Sequence, residues 1–442
     1  MPGINGVSWK KLKPSTPGRL LAWIVVPVLG VLACGLLLAT SIGGVRNGLG
    51  QVGTQEEPQV VAASRLAFDV ESMDGQVADI LLIENAAGLG ENQSDAYQKF
   101  ENYQSDADTQ LELLGSGINT IADGPATFVS IENQLSQYTQ YAAYAMYIDV
   151  QAHAQKAGQP PAAALQAYDH ASTLMNESGS GILAQAQILY TAEQLAESAP
   201  LNAGSGKIWH LQLACGLLLA FIVIRLLIAQ RGLRRAFRRT VNPLLALTTV
   251  GALIFGVLLF SALGAAKSAY GAQDLTGPGS VATLWQARAT AADMRAAESR
   301  WLLQTANPTA QSVAAMTAEQ QTFATGQKWV TSVPILSGDV MPEANAYLND
   351  DVQLRNLLLN GGTSATQLRA AVAYDTGPTD AAYAKFDAGL TQLIGVDQQA
   401  FAAGTTKGEN GLVTWLWLPW LWMLGTIAVI VFGFAPRLRE YR

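Results

Sequence analysis

The two cysteines of this chain, Cys34 and Cys215, sit in the same octapeptide, LACGLLLA, at Leu32 to Ala39 and again at Leu213 to Ala220. Three chemistries fit such a repeat. The VLAC before Gly35 resembles a bacterial lipobox, in which the thiol takes lipid; a thiol pair is a candidate for redox or metal chemistry; and small residues one turn apart, Gly35 with Ala39 and Gly216 with Ala220, let helices approach closely in lipid. The lipobox fits poorly, because the apolar run continues through GLLLATSI and the second copy lies where no signal peptide can. Two thiols alone do not make a metal site. Helix packing between the two copies is the expectation.

Other reactive side chains are scattered. His153, His170 and His210 stand beside no Cys or carboxylate at metal-ligand spacing, and the sequence has no phosphate-binding glycine loop, nucleophile elbow or kinase signature. Asp106/Asp108 and Asp350/Asp351 read as solvated helix faces or loops. Asn176-Glu177-Ser178 matches a glycosylation acceptor, a triplet frequent by chance. Neither catalysis nor a metal or cofactor is expected. Tyr138, Tyr141, Tyr144 and Tyr147 form a stripe at three-residue steps, expected as the edge of a core with hydroxyls reaching water. Trp415, Trp417, Trp420 and Trp422 read as an interfacial aromatic belt, with a docking face as the alternative. Arg231, Arg234, Arg235, Arg238 and Arg239 occupy one short connection without an acid or a lysine. Anionic lipid and membrane topology account for them generically, while bidentate pairing suits a cytoplasmic protein partner; both readings stay open.

The elements that must position these residues are helices. At 442 residues, 50% hydrophobic and 14% charged, the chain is too apolar for an ordinary soluble protein. Four runs are long enough to span a ~30 Å hydrocarbon core: 20–42, 208–229, 243–265 and 412–435. Basic residues flank them on one side only: Lys10, Lys11, Lys13 and Arg19 in segment 1–19, the five arginines in 230–242, and Arg437, Arg439 and Arg442 in 436–442. The two long loops, 43–207 and 266–411, hold all but one of the 34 acids. Positive-inside logic then puts both termini in the cytoplasm, the loops outside, and the chain in the plasma membrane as a multi-pass protein. Arg225, within the second apolar run, is close enough to Arg231 to snorkel to the interface.

Apolar steps of three and four recur at Ala63, Leu66, Val70, Met73, Val77 and Ile80 and again at Phe128, Ile131, Leu135, Tyr138, Ala142 and Ala145, as in a bundle seam. Breakers at GLGENQS, ADGP and AGQPP divide the first loop into four helices, with Pro161 opening the fourth. The second loop has similar segments from Ser280, Ala310, Pro342 and Thr379, broken by NPT, VPILSGD, NGGTSA and DTGPTD. The expected fold is an all-α integral membrane protein with four transmembrane helices and two extracytoplasmic helical-bundle domains, the first a four-helix bundle. A shift of 221 positions aligns VESMDGQVADILLIENA with AADMRAAESRWLLQTAN, matching Met73 with Met294, Leu81 with Leu302 and Leu82 with Leu303, which points to tandem duplication.

The stretches PQVVAASRLAFDVESMDGQVADILLI after the first span and LMNESGSGILAQAQILYTAE before the second, with four spans and two helical loops, resemble the GlnX-like family of actinobacterial membrane proteins, encoded with an amino-acid-binding lipoprotein and serine/threonine kinase G. The loop plan is also similar to the four-helix sensor domains of chemoreceptors. That resemblance implies a non-enzymatic relay from an extracytoplasmic solute-binding lipoprotein, sensing acidic amino acids or their amides, to a cytoplasmic kinase; it assigns no ligand residues. A structural component of the envelope and a transporter accessory subunit are the rival readings, with poor intramembrane polar material for the latter. A homo-oligomer is compatible with all three.

Overall fold

The computed structural model describes residues 16–51, 57–83, 89–118, 123–152, 158–237, 242–272, 281–304, 340–359 and 364–439. Outside the described residues lie the basic segment before position 16, Arg238 and Arg239, His153, the breakers NPT and VPILSGD, the helix expected from Ala310, and Arg442. All regular structure among the described residues is helical: α1 (Thr16–Gln51), α2 (Glu57–Ile83), α3 (Gln93–Gly115), α4 (Gly124–Ala152), α5 (Ala162–Asn176), α6 (Ile182–Phe237), α7 (Pro243–Ala272), α8 (Val281–Gln304), α9 (Val340–Leu359), α10 (Ala365–Tyr374), α11 (Asp380–Val413) and α12 (Leu418–Arg439). The chain divides into two compact units, one of residues 1–50, 202–272 and 404–442, the other of residues 51–201 and 273–403.

The first unit gathers the four apolar helices, each long enough to cross a membrane. Their order follows from close approaches. A Cβ on Gly30 would meet Ile222 at 3.0 Å, a Cβ on Gly256 would meet Leu219 at 3.3 Å, Phe255 stacks on Trp422 at 4.2 Å, and a Cβ on Gly35 would meet Met423 Sδ at 2.7 Å. Each span thus packs on the next and the fourth closes on the first. Polar contacts tie the ring: Gln230 Nε2 donates to Thr249 at 3.2 Å, Asn242 Nδ2 to the Gly433 carbonyl at 2.9 Å, and Tyr270 Oη to the Val45 carbonyl at 3.0 Å.

The octapeptide copies do meet, but through their cysteines. Both thiols are free and buried, and their side chains are within hydrogen-bond contact. Gly35 faces Met423 of the fourth span and Gly216 faces Phe260 of the third, while Ala39 is half-buried and Ala220 exposed. Consecutive helical residues point about 100° apart, so a face that aims Cys34 at its partner turns Gly35 to the next neighbour. The fourth span also differs from one uninterrupted run. A 3-10 turn at Thr414–Leu416 separates α11 from α12, because Pro419 has no N–H for a continuing ladder and suits the first turn of a new helix. The tryptophans divide accordingly: Trp415 and Trp422 pack on Phe255, whereas Trp417 and Trp420 are exposed.

The second unit is built around α2, whose residues 68–83 are buried on every side. The apolar seam from Ala63 to Ile80 lies wholly in the core, as do Ile131, Leu135, Tyr138, Ala142 and Ala145 of α4. α2 pairs most extensively with α3 on one side and α8 on another, and α4 pairs with α5. The two long loops, expected as separate bundles, therefore share one core: residues of α2 to α6 and of α8 to α11 belong to a single buried cluster. The fourth helix of the first loop also divides, since Gly179 stands at φ +82° and a Cβ on Gly181 would meet the Glu177 nitrogen at 2.6 Å; NESGSG ends α5 and α6 begins at Ile182. DTGPTD does not interrupt the second loop. It forms a π-helical turn, Asp375–Thr379, where the missing N–H of Pro378 is absorbed by wider hydrogen bonding.

Gly35→Leu is expected to lower the melting temperature of the detergent-purified chain by several degrees, overpacking a buried approach costing about 1–3 kcal/mol; Gly43→Leu, with nothing within 4 Å of its Cβ position, is expected to leave it unchanged. Mild oxidation with copper phenanthroline is expected to join Cys34 to Cys215 within one chain, detectable by non-reducing peptide mapping; two free thiols after oxidation would contradict the observed packing of α1 on α6.

Candidate functional site: the charged seam between α2 and α8

Four carboxylates of α2, Asp69, Glu71, Asp74 and Asp79, are buried, a costly arrangement unless cations accompany them. The cations come from α8. Arg300 Nη1 donates to Asp74 at 2.6 Å and Nη2 to Asp293 at 3.3 Å. Arg295 Nη2 donates to Asp79 at 3.2 Å and its Nη1 to Asp375 of the π turn at 2.6 Å. Ser299 completes this centre, its hydroxyl 2.7 Å from Asp79 Oδ1. Towards the start of both helices Arg288 pairs with Asp387 and lies 3.9 Å over the Phe68 ring, and Arg65 pairs with Asp106 at 3.2 Å.

The 221-position shift gives this seam its logic. Gly75 and Ala296, equivalent under the shift, face each other, a Cβ on Gly75 lying 3.4 Å from the Ala296 backbone. Asp74 is equivalent to Arg295, and Asp79 to Arg300. Each ion pair therefore joins one residue to the equivalent of the residue five places on, as flanking charges do in parallel two-stranded coiled coils. The two pairs exchange under the pseudo-twofold, with acids in the first copy and arginines in the second. Gly75 sits at this close approach, where a side chain larger than a methyl group would hold the two helices apart.

A second layer lies behind Arg295. Glu298, wholly buried, accepts from the Tyr347 hydroxyl at 3.1 Å, stands 3.8 Å from Arg295 and hydrogen-bonds to Asp351. Asp351 itself is buried and receives Arg355 at 2.7 Å. Burial, then the charge of Asp351, pushes the Glu298 carboxyl well above its ordinary value. Two carboxyls in a hydrogen bond require a proton between them. Burial likewise pushes Asp69 up to about 8, against the opposing charge of Arg65, and Asp149 up to about 6, against a hydrogen bond from Gln93.

The residues singled out in the sequence are distributed differently. Arg231 and Arg234 are exposed on α6; Arg235 lies on the same helix, and its side chain, with Arg238 and Arg239, falls outside what is described. Of the tyrosine stripe, Tyr138 is fully buried, with its hydroxyl 3.3 Å from Asp74, while Tyr141, Tyr144 and Tyr147 are exposed. Steps of three fall short of a turn by about 60° each, so the stripe winds off the core. Asp106 is a solvated partner of Arg65 and Asp350 accepts from Tyr374 at 2.8 Å, but Asp351 is not a solvated face. Its neighbour in sequence hides that difference, because an adjacent helical position points elsewhere. No group of three or more potential metal ligands occurs among the described residues.

Arg295→Ala is expected to destabilise the chain by about 3–5 kcal/mol, since it leaves Asp79 and Asp375 buried without their cation, whereas Arg65→Ala, at a half-exposed pair, should cost less than about 1 kcal/mol; thermal melts followed by circular dichroism compare the two. The raised carboxyls fix the sign of pH dependence. Folded Asp69, Asp149 and Glu298 keep protons that an unfolded chain has released, so stability is greatest below about pH 4 for these groups and is lost as pH rises through 6 to 8. The melting temperature is expected to fall by several degrees between pH 5 and pH 8.5, and Asp69→Asn to flatten that fall; a rise over this interval would contradict the assignment.

Residues 48–199 match the family model described as Actinobacterial sensor domain. No curated protein and no solved structure matches the chain. The matched segment takes in α2 to α5 and the start of α6, so it carries the acidic half of the seam while the arginine half lies beyond it. An all-α chain with four membrane-capable helices and a segment similar to actinobacterial sensor domains fits a sensor membrane protein.

Proposed function

We propose that this chain is a non-enzymatic transmembrane signalling relay, linking an extracytoplasmic amino-acid-sensing binding protein to a cytoplasmic serine/threonine kinase, with both termini and the 230–242 connection in the cytoplasm of the plasma membrane. The observation that carries the reading is the sensor-domain match over 48–199, which takes in α2 to α5 and the start of α6. Its partners are argued from the resemblance of PQVVAASRLAFDVESMDGQVADILLI and LMNESGSGILAQAQILYTAE to GlnX-like proteins. Helices of such a sensor move by small steps of ~1–2 Å, and α6 runs without a break from the sensor segment at Ile182 to Phe237 beside the arginines. Arg231 and Arg234, exposed near its end, offer guanidinium forks to carboxylate or phosphate on a kinase.

Crosslinking in native membranes followed by affinity purification tests the relay. Both a solute-binding lipoprotein and a soluble serine/threonine kinase are expected in the captured material. Arg231→Glu with Arg234→Glu is expected to reduce kinase recovery at least tenfold while leaving the lipoprotein; recovery of neither protein by the unaltered chain would sink the reading.

A further inference from the structure

Four cations stand at one level of the first unit. That level is fixed by contacts around Tyr270 of α7: its hydroxyl donates to the Val45 carbonyl of α1 at 3.0 Å, a Cβ on Gly204 of α6 would meet its ring at 2.5 Å, and a Cβ on Gly408 of α11 would meet Ala269 at 2.8 Å and Leu49 at 3.4 Å. Arg46, Lys207, Lys267 and Lys407, one from each of these helices, lie no more than a turn, about 5 Å, from those contacts. The three lysines are exposed and Arg46 is half-buried. No carboxylate holds any of the four among the described residues, whose ion pairs all belong to the second unit. Across 43–50, 204–212, 264–272 and 404–412 the sequence offers one acid, Glu409, and it lies against Gly50, where a Cβ would meet its Oε1 at 2.5 Å. This end of the spans is therefore ringed by positive charge without its own counter-charge.

We infer that this ring is a girdle for anionic phospholipid, its ammonium and guanidinium groups holding headgroup phosphates where the apolar spans end. The surface beside the ring decides for lipid over other anions. Leu213, Leu217 and Phe221 of α6 and Val257, Leu258 and Phe260 of α7 are exposed, an apolar wall that a soluble phosphate or an acidic protein would leave bare and that acyl chains cover. Lys and Arg stems lie along such a wall and carry their charge to its edge. Trp209, exposed two residues beyond Lys207, is a residue type that settles at headgroup level. Charge selects the headgroup: a choline brings its own cation to the level of the ring, whereas a phosphatidylglycerol brings phosphate alone, and basic side chains near a bilayer surface favour such anionic lipid. The ring occupies the opposite end of α6 from Arg231 and Arg234. The inference needs the spans in a bilayer but no protein partner, so a chain that prefers anionic lipid and retains neither lipoprotein nor kinase would keep the girdle and lose the relay.

Tryptophan quenching of the full chain tests it, in phosphatidylcholine vesicles doped with brominated phosphatidylglycerol or, at equal mole fraction, with brominated phosphatidylcholine. A preference of about fivefold for phosphatidylglycerol is expected, the effect of one basic side chain near an anionic surface. Lys207→Gln combined with Lys267→Gln and Lys407→Gln is expected to bring it below about twofold, and Arg231→Gln combined with Arg234→Gln to leave it in place. All three lysines are exposed, and Lys267→Gln alone, expected to lower the preference measurably, keeps the test sound if the triple variant does not fold. Equal quenching by the two lipids, an unchanged preference in the lysine variants, its loss in the Arg231/Arg234 variant, or its abolition by soluble glycerol phosphate would each overturn the assignment.

Discussion

Burying a helix that carries four carboxylates on its flanks is the constraint from which the second unit follows. Apolar burial alone would favour an aliphatic α2, and the desolvation of each uncompensated carboxylate costs several kcal/mol. Every one of these groups must either find a guanidinium or hold a proton. Asp74 and Asp79 find Arg300 and Arg295, which requires α8 to lie along α2 in one register. Asp69, with only a long 3.7 Å approach from Arg65, is pushed towards protonation. The ion pairs thus specify how the two long loops associate more than they add net stability, the registry role best attested for buried polar groups.

The rest of the network is read outward from those pairs. Arg295 cannot neutralise Asp79, Asp375 and Glu298 together, and the carboxyl farthest from it, Glu298, is relieved by a proton and by the Tyr347 hydroxyl. Reaching Asp375 needs the backbone of the π turn at Asp375–Thr379, which widens the helix there and turns that carboxylate inward. The same turn receives the first loop, where the Gly90 N–H donates to the Thr376 hydroxyl at 3.3 Å. One arginine so fastens α2, α8 and the second loop's last helices around a single buried centre.

Hydropathy made the four spans legible, and three–four spacing made the α2 and α4 seams legible, because both signals depend on apolar residues alone. The second buried face of α2 left no such trace: Ser64, Asp74, Gly75 and Asp79 look like a solvated flank to any reading that equates burial with hydrophobicity. What could have revealed it was the aligned pair VESMDGQVADILLIENA and AADMRAAESRWLLQTAN, read for opposite signs as well as for identities. Asp74 over Arg295 and Asp79 over Arg300 are mismatches in a search for duplication and complements in a search for contact. The octapeptide misdirected for a related reason: its small residues are conspicuous, but one position of helical rotation decides that the cysteines, and not Gly35 and Gly216, join α1 to α6.

That sign reversal also bears on how many chains the seam needs. If two identical copies of the first loop met about the same twofold, Asp74 would lie opposite Asp79 of the other copy, and the two pairs would become buried like charges. Two copies of the second loop would set Arg295 against Arg300. Neither symmetric pairing is tolerable without water, so only the mixed one remains, and the mixed one is available within a single chain at the high effective concentration that a covalent link supplies. Repulsion in the wrong pairings selects the partner as firmly as attraction in the right one. A sensor built in this way completes its central helix pair by itself, and any further chain must dock on surfaces other than the α2–α8 seam.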